Sequence, residues 1–532
     1  MRGRSTGRAK GLWLRVRSRP LVAAPSASAP PAAPGRAGKA CFPGRTEASP
    51  SDEDTIHSTA PVDTGGGRVR GHRPPAGVTR VATGRDPESF DLFASFRQFF
   101  ALEREVLVLS LAMLAFSLSF QMTSRYVPEY MRVLGAGAGV IGLYGSVGNL
   151  VGAVYPYPGG ALSDRVGSRI ALTGFAVLTT VGFGLWWLAP ELGAAGVAGR
   201  VVPAWAWIFL GLFLAQAWKS LGLGATFAIV KQSVPPDRLA MGFASTEIFR
   251  RVGFLLGPLF AAGLLAVTAT FVDGFQRVLL LAIAFGVVAT VAQHHLYDAS
   301  EDTVGDSFAG LAGVRRDLRE MPATLRPLLV ADTLVRFANG MVYVFFVIVV
   351  TSVLEVGFRG FGVALRPDAF FGVLLGVEMV VAVLTQAPVS KLAERTGLKP
   401  VVGLGFLVYA AFPVLLVNAP ADQWVLVALF AFSGLRFAGL PAHKAMIVGP
   451  AEQDAGGRVT GTYYLLRNTV VIPSAALGGW LYGSDWSLAL PAAVGGWTVS
   501  AGPGLAFGLA TAVGLVGVGY FAVYGREFEA YA

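Results

Sequence analysis

Apolar stretches of about 20 residues recur between residues 105 and 524, and short polar segments separate them. A helix of this length crosses the roughly 30 Å hydrocarbon core of a bilayer. The stretches show no alternation of period two, so helices are favoured over barrel strands. The pattern predicts an all-α polytopic membrane protein with twelve transmembrane helices, at 105–124, 139–158, 170–189, 204–230, 241–268, 277–296, 328–353, 369–388, 400–418, 424–447, 459–482 and 502–524.

The longest polar stretch inside this region lies at 297–327 and separates six predicted spans from six others. Glycines and prolines repeat between the two groups at one fixed shift, which indicates an internal duplication. We therefore predict two pseudo-symmetric six-helix bundles at 99–296 and 328–524, a cytoplasmic linker at 297–327, a tail at 525–532, and a mid-membrane substrate site between the bundles. The repeated pairs are Gly224 and Gly439, Pro235 and Pro450, Gly242 and Gly457, Pro258 and Pro473, and Gly263 and Gly478.

Residues 1–98 have a different character. The first 88 or so are rich in Arg, Ala, Pro, Ser and Gly, a composition that cannot bury a core and predicts a disordered basic segment. Three interpretations stay open: a cytoplasmic tail attracted to anionic lipid, an organellar transit peptide, or a start site assigned too far upstream. Phenylalanines at helical spacing between Phe90 and Phe100 predict an interfacial helix under the first span.

Charged residues make up 14% of the 532 residues and hydrophobic residues 54%, so lipid is the expected solvent. Lys and Arg collect in alternate short loops, and the positive-inside rule places those loops and both termini in the cytoplasm. The net charge of +10 is therefore a signal of topology in a plasma (inner) membrane, and no nucleic-acid partner is predicted. The opposite side also carries arginines, which weaken this asymmetry: Arg125, Arg132, Arg200, Arg359 and Arg366.

One short basic segment carries the most specific pattern. Residues 158–169 read Pro-Gly-Gly-Ala-Leu-Ser-Asp-Arg-Val-Gly-Ser-Arg, and a degraded copy occupies 388–399. Glycines permit a tight turn between antiparallel helices, and Arg165 and Arg169 suit anchoring among lipid phosphates. Asp164 suits contact with the positive N-terminus of another helix, a contact that forms only when the bundles close on this side. The alternative is a loop that only sets topology.

This segment resembles the signature loop between the second and third helices of the major facilitator superfamily, a family of secondary transporters. The resemblance extends over residues 100–524 and implies two bundles that rock about a central site. It also implies a cytoplasmic gate at Asp164, Arg165 and Arg169, with Glu394 and Arg395 in the copy. The positions that carry the resemblance are Gly160, Leu162, Asp164, Arg165, Gly167 and Arg169.

The fifth predicted span carries a helix-packing motif at Gly253, Gly257 and Pro258, which resembles the antiporter motif of drug and proton exchangers in that superfamily. Small residues let helices approach closely, and Pro258 bends its helix. The resemblance favours export by exchange, although Ala replaces Gly at three places and importers also carry Gly-Pro kinks. A second family motif, in the fourth span, is incomplete, because Trp218 stands where an Arg is expected and Lys219 follows one residue late.

Ionisable side chains deep in predicted spans cost about 2.5 to 3.5 kcal/mol each on insertion scales, so they are functional candidates. Lys219, Arg336 and Arg436 would make a cavity positive, which predicts an anionic substrate such as a carboxylate or a phosphorylated metabolite. Structural ion pairs are the alternative, because Asp332 and Glu378 also lie within spans. The predicted lining of the substrate cavity is Gln121, Gln216, Lys219, Arg336, Asn339 and Arg436.

Glu378 is the most isolated acid at membrane depth. Burial favours the neutral form of a carboxyl, which suits a proton carrier unless a buried cation pairs with it. We therefore predict Glu378 as the coupling candidate. Arg467 and Asn468 fall close enough to the cytoplasm for a role as gate or anchor.

Walker, catalytic-triad and zinc signatures are missing from the sequence, so neither an enzyme nor direct coupling to ATP is predicted. The single Cys41 excludes a disulfide within the chain, and no metal and no cofactor are predicted. We predict a secondary active transporter, monomeric in the lipid bilayer, that moves a small organic molecule by proton-coupled export. Uptake of an organic anion or phosphorylated metabolite is the runner-up, and a non-transporting membrane sensor is the alternative from another class.

Overall fold

The computed structural model describes residues 104–195, 201–222, 225–226, 229, 239–297, 319, 322–449, 456–489 and 498–527. The segment and interfacial helix predicted at 1–98 lie outside these residues, and so does most of the predicted linker at 297–327. The tail predicted at 525–532 is described only to residue 527.

The first half of the chain is helical throughout its regular elements. Its helices keep their backbone hydrogen bonds within the segment, as lipid requires. They are α1 (Arg104–Thr123), α2 (Val127–Val133), α3 (Ala138–Val154), α4 (Pro156–Val166), α5 (Ser168–Ala195), α6 (Ala204–Ala215), which is followed by a π-helical turn (Ala217–Leu221), α7 (Leu239–Ala266) and α8 (Phe271–Leu296).

The second half repeats this arrangement with more interruptions. A 3₁₀ turn (Ala323–Leu325) leads into α9 (Arg326–Val342), which continues through a 3₁₀ turn (Tyr343–Phe345), α10 (Phe346–Ile348) and a π-helical turn (Val349–Val353). The remaining elements are β1 (Phe358–Gly360), β2 (Val363–Leu365), α11 (Pro367–Thr396), α12 (Leu398–Val417), α13 (Gln423–Gly434), a 3₁₀ turn (Leu435–Phe437), α14 (Leu440–Val448), α15 (Gly456–Val471), α16 (Ser474–Gly483), β3 (Ser487–Ala489), β4 (Thr498–Ser500) and α17 (Pro503–Tyr524).

Nine of the described helical stretches are long and apolar enough to cross a bilayer, and the bent pair α3–α4 makes a tenth candidate. The predicted all-α polytopic fold is confirmed. The number twelve stays a prediction, because the span at 204–230 is described only in part. The span at 459–482 is broken into α15 and α16 at Ile472 and Pro473.

The two signature segments are not loops, which corrects the prediction. Only Gly167 separates α4 from α5, and only Gly397 separates α11 from α12. Their φ angles are +84° and +89°, in the region that glycine adopts without steric cost. A helix therefore continues up to each glycine, and the polar residues at 158–166 and 388–396 lie on helical turns.

α3 and α4 meet at a bend of 41°. Pro156 begins α4, lacks a backbone N–H and clashes with the preceding helical turn. The span predicted at 139–158 therefore changes direction near Tyr155 and continues to Val166.

Successive helices run in opposite directions, so their ends fall on two faces. We call the face that carries Gly167 and Gly397 the loop face. The opposite face carries two antiparallel hairpins, in which β1 pairs with β2 and β3 pairs with β4, and we call it the hairpin face. Phe361 and Gly362 join β1 to β2 and both have positive φ, as a tight two-residue hairpin turn requires. Three-residue strands leave no periodicity, so the apolar pattern did not predict them.

Three clusters of buried side chains hold the described helices together. The largest lies toward the hairpin face and contains residues of both halves, among them Phe275 of α8 and Phe371 of α11. Toward the loop face each half has its own cluster, with Leu172 in the first half and Phe406 in the second. One shared core at the hairpin face and two separate cores at the loop face leave a space between the halves that opens toward the loop face.

Glycines bring the halves closest together near the hairpin face. A Cβ on Gly142 of α3 would overlap the carbonyl oxygen of Ala475 in α16. A Cβ on Gly372 of α11 would lie 2.5 Å from the carbonyl oxygen of Pro258 in α7. Small residues remove the side-chain volume that would keep such helices apart. The halves are thus joined by two helix pairs, α3 with α16 and α7 with α11.

Arg366, which precedes α11, adds a polar contact across the halves. Its guanidinium donates to the carbonyl oxygens of Thr268 at 2.9 Å and Leu265 at 3.3 Å, and also to that of Ala269. Asp368 holds the same guanidinium at 2.6 Å. The last carbonyls of a helix have no partner within it, so Arg366 satisfies the C-terminal end of α7 from the other half.

Candidate functional site

A cavity of about 1080 Å³ lies between the halves. It extends from Tyr343 and Phe371, near the shared core, to Glu247 and Lys444 toward the loop face. Small-molecule sites span about 300–1,000 Å³, so this space can hold a drug-sized solute. Five cations and two acids stand among its described lining residues, and the cavity is therefore positive. They are Arg125, Lys219, Arg250, Arg436, Lys444, Glu247 and Glu378.

Lys219 enters the cavity lining because the fourth predicted span departs from α-helical geometry. A π-helical turn follows α6 at Ala217–Leu221. The Trp218 backbone N–H donates to the side-chain oxygen of Thr179 at 2.8 Å, and the Trp218 ring stacks on Phe116 with centroids 4.4 Å apart. These contacts hold the π-helical turn in place. Single π-helical turns within α-helices are often found at functional sites.

Arg436 also lies on a distorted turn, the 3₁₀ turn between α13 and α14. Its Nη2 donates to Glu378 Oε1 at 2.5 Å, and Ser433 Oγ donates to the same oxygen at 2.5 Å. Both side chains of the ion pair are buried. Glu378 is therefore not the isolated acid that the sequence indicated, and its coupling role stays a prediction that now has to include Arg436.

Two nitrogen atoms of the Arg436 guanidinium form no hydrogen bond with the described residues. Nε and Nη1 are buried and no acceptor in the described part of the chain reaches them. Aromatic rings of Tyr409, Phe412 and Phe437 surround the guanidinium carbon within 5.7 Å. A buried N–H group without an acceptor costs about 1–3 kcal/mol, and more when it is charged. Arg436 therefore offers unused hydrogen-bonding capacity where it lines the cavity.

Asp332 of α9 is fully buried and collects several partners. Arg336 Nε donates to Oδ1 at 3.2 Å, while Arg467 Nη1 and Tyr463 Oη donate to Oδ2 at 3.1 and 3.2 Å. His443 Nε2 lies 3.4 Å from Oδ2. Arg467, expected as a gate or anchor near the surface, instead reaches an interior carboxylate, because α15 turns this face toward α9.

Arg125 was misassigned to an outer loop by the charge pattern. The chain between Thr123 at the end of α1 and Val127 at the start of α2 brings it to the cavity instead. Its guanidinium carbon lies 4.4 Å from the ring centre of Tyr343, and no carboxylate of the described residues pairs with it. The sequence did carry a signal for this position. Gln121, one turn earlier on α1, indicated that the helix has a polar face near its end, and Arg125 continues that face.

A side pocket of about 350 Å³ adjoins the cavity and shares part of its wall. Four arginines line it: Arg125, Arg336, Arg436 and Arg467. The structure distributes the six predicted cavity residues between the two spaces. Gln121, Gln216 and Lys219 line the main cavity, Arg336 and Asn339 line the side pocket, and Arg436 lines both.

The predicted gate residues all lie near the loop face. Asp164 and Arg165 occupy the last turn of α4, and Arg169 the first turn of α5. Glu394 and Arg395 occupy the last turn of α11. Because the cavity opens toward this face here, their role in closing it stays a prediction.

The tail supplies a contact that the sequence did not signal. The two carboxylate oxygens of Glu527 accept from the backbone N–H groups of Leu398 and Lys399 at 3.0 and 2.8 Å. The first N–H groups of a helix lack partners within it and carry partial positive charge, so an acid stabilises this end of α12. Glu527 thus holds the tail beside the Gly397 turn.

The helix-packing motif faces the first helix. A Cβ on Gly253 would lie 2.5 Å from the side chain of Ser117, and one on Gly257 would lie 2.6 Å from Gln121 Cβ. Pro258 lies inside an unbroken α7, whereas its counterpart Pro473 marks the break before α16. The glycines therefore seat α7 against α1, next to the cavity wall.

Comparison with known proteins agrees with this geometry. Residues 109–365 match the family model described as Major Facilitator Superfamily. An uncharacterized MFS-type transporter of Methanocaldococcus jannaschii is 20% identical over 382 residues, which cover 72% of this chain and 89% of the relative.

Solved structures share the fold at low identity. A POT family transporter in complex with 5-aminolevulinic acid has a TM-score of 0.60 at 14% identity, over 80% of this chain and 97% of that chain. The nucleoside transporter NupG has a TM-score of 0.60 at 12% identity, over 80% and 100% of the two chains. A bacterial homologue of the iron transporter ferroportin, solved in an inward-facing state, has a TM-score of 0.59 at 14% identity, over 80% and 99%. With the paired signature turns and the cavity between two helical halves, these findings show that this multi-pass chain resembles the transporters of the major facilitator superfamily, and they support a membrane transporter of that kind.

Proposed function

We propose that this protein is a secondary active transporter of the plasma (inner) membrane, with both termini in the cytoplasm, that moves a small organic solute by alternating access. The observation that carries the proposal is the division of the cores. The halves share one core at the hairpin face, whereas separate cores at the loop face leave the cavity open there. Rocking about the glycine contacts at Gly142 and Gly372 would exchange the open face.

Proton-coupled export is the first candidate for direction. In the predicted orientation the loop face is cytoplasmic, so the open cavity would take up a solute from the cytoplasm, as an exporter needs. The packing of Gly253 and Gly257 against α1 supports the same direction, since this motif resembles that of exchangers. Protons would supply the energy by moving the other way.

The ion pair between Glu378 and Arg436 favours a second candidate, uptake of an organic anion together with a proton. Protonation of Glu378 would remove the negative partner of Arg436, which could then bind an anion. Proton and anion would bind together, as co-transport requires, whereas exchange requires that they compete. The five cations of the cavity favour an anion in either direction.

Alternating access has a test that needs no known substrate. Cys41, the single cysteine, is replaced by Ser, and Asn149→Cys places a thiol in the cavity wall. A membrane-impermeant maleimide is then applied to right-side-out and to inverted vesicles. Transport predicts labelling from both sides, and labelling from the loop face alone under every condition would contradict it and favour a sensor.

Direction is tested in the same two kinds of vesicle with an imposed pH gradient. Labelled benzoate and phenyl phosphate serve as anionic probes, and Lys219→Ala, Glu378→Gln and Arg436→Ala report on the cavity. Entry into inverted vesicles with an acidic interior indicates export by exchange. Entry into right-side-out vesicles from an acidic exterior indicates uptake with a proton when it exceeds the entry into protein-free liposomes, because neutral benzoic acid crosses lipid unaided. Flux that ignores the gradient contradicts proton coupling.

A further inference from the structure

The side pocket differs from the rest of the cavity because four arginines line it. We propose that it binds the dianionic headgroup of a phosphate monoester, and that the apolar body of the same molecule occupies the main cavity. This inference rests on the proposed transport function and names its substrate class. Charge, hydrogen-bonding capacity and shape support it separately.

Charge sets the valence of the headgroup. Arg436 is neutralised by Glu378, and Arg336 shares the single carboxylate of Asp332 with Arg467. Arg125 has no carboxylate partner in the part of the chain that the structure describes. Four guanidinium groups therefore meet two carboxylates, so the arginines exceed the carboxylates by two positive charges. A dianion balances them, whereas a carboxylate leaves one positive charge uncompensated at membrane depth.

Hydrogen-bonding capacity sets the chemistry of the headgroup. Arg436 is 4% exposed, and its free Nε and Nη1 belong to a side chain that lines the side pocket. The guanidinium carbon of Arg125 lies 4.4 Å from the ring centre of Tyr343, and no acceptor among the described residues takes a hydrogen bond from its N–H groups. A phosphate monoester offers three terminal oxygens, and the guanidinium fork matches such oxygens in pairs. A ligand with several acceptor oxygens is what these donors require.

The sizes of the two spaces indicate where the body of the proposed substrate lies. The side pocket measures about 350 Å³ and the main cavity about 1080 Å³, so we assign the headgroup to the smaller space and the larger body to the main cavity. Arg125 and Arg436 line both spaces and mark the junction between them. Aromatic side chains line the larger space and suit an apolar or aromatic body. Among them are Tyr144, Phe254, Tyr343, Phe346, Phe371 and Phe430.

The rival explanation is that the four arginines form only a structural network with their carboxylates and water. In that case the pocket would bind all small anions weakly and alike. The two explanations differ in what Arg125 does, because no hydrogen bond or ion pair of the described residues ties it to Asp332 or Glu378.

The test measures binding to the full-length protein in detergent at constant ionic strength, by isothermal titration calorimetry. The probes are phenyl phosphate and benzoate, which share a ring and differ in the headgroup. We expect phenyl phosphate to bind at least tenfold more tightly. We also expect its affinity to fall as the pH drops below about 6, where a phosphate monoester loses its second charge.

Variants locate the site. Arg125→Gln should weaken the binding of phenyl phosphate at least tenfold and leave the weak binding of benzoate much less changed. Arg359→Gln is the matched control, because Arg359 lies exposed on β1 at the hairpin face, and it should bind as the parent does. Arg467→Gln changes another arginine of the side pocket and should weaken the binding of phenyl phosphate as well. If this variant fails to fold because it loses the ion pair with Asp332, Arg125→Gln decides alone, since it breaks no ion pair. Equal affinity for the two probes, or an unchanged Arg125→Gln variant, overturns the inference.

Flux in proteoliposomes separates this inference from the transport proposal. Gradient-driven flux of benzoate without selective binding of phenyl phosphate would overturn the headgroup site and leave transport standing. Selective binding of phenyl phosphate with no flux of either probe would leave the headgroup site standing and count against transport.

Discussion

Glu378 of α11 and Arg436 of the 3₁₀ turn after α13 form a buried ion pair, with 2.5 Å between Oε1 and Nη2. The sequence assigned them separate tasks, proton coupling to the acid and substrate binding to the cation. Their contact links the two predicted tasks, because a change in the charge of either side chain leaves the other without its partner.

The first prediction concerns this pair. Glu378→Gln should mimic the protonated acid, so anion binding persists while flux loses its response to a pH gradient. Because the change leaves a buried cation unpaired, we also expect about 3–5 kcal/mol of lost stability, seen as a lower melting temperature. The double variant Glu378→Gln with Arg436→Gln should recover part of that loss. A single variant that keeps both its stability and its pH response would contradict the pairing.

The second prediction concerns the turn that carries Lys219. Thr179→Val removes the oxygen that accepts the Trp218 backbone N–H at 2.8 Å. An unpaired buried N–H costs about 1–3 kcal/mol, so the π-helical turn should rearrange and flux should fall at least tenfold. Thr179→Ser keeps the oxygen and is the control. Equal flux in the Val and Ser variants would show that this hydrogen bond does not position Lys219.

The third prediction concerns the glycine contact between α3 and α16. Gly142→Ala puts a methyl group against the backbone of Ala475, and overpacking of this kind costs about 1–3 kcal/mol. The hairpin face should then open more often, which spin labels at the exposed Val201, before α6 in the first half, and on β1 in the second half would record as longer distances. Gly139→Ala on the same helix has open space around the new Cβ and should behave as the parent.

The fourth prediction concerns Arg366, which bridges the halves at the hairpin face. Arg366→Gln removes charge-assisted hydrogen bonds to the end of α7, each worth about 1.5–3 kcal/mol when fully formed. We expect labelling of Asn149→Cys from the hairpin face to rise about tenfold, the equivalent of about 1.4 kcal/mol. Arg359→Gln on the neighbouring strand is the control. Unchanged labelling would mean that the glycine contacts alone close this face.

The sequence pattern predicted correctly those features that depend only on residues close together in the chain. Apolar length predicted the helical membrane fold, and glycine spacing predicted the repeated turns at Gly167 and Gly397. The expected loops around these glycines were too long, because a helix continues to its last allowed residue. Pro258 and Pro473 occupy equivalent sequence positions, yet only the second marks a helix break, so the surroundings decide what a proline does.

The sequence by itself indicated that the solvent is lipid, and it predicted an internal duplication and a set of charges at membrane depth, since each of these inferences follows from composition and from spacing along the chain. The tertiary structure alone decided that Glu378 pairs with Arg436, that Arg467 reaches Asp332, and that Arg125 faces the cavity. Those outcomes depend on how each helix is rotated and which distant helix it packs against. Packing between segments that are tens to hundreds of residues apart sets the rotation of each helix and its packing partner. The order of residues along one helix carries no information about those distant neighbours.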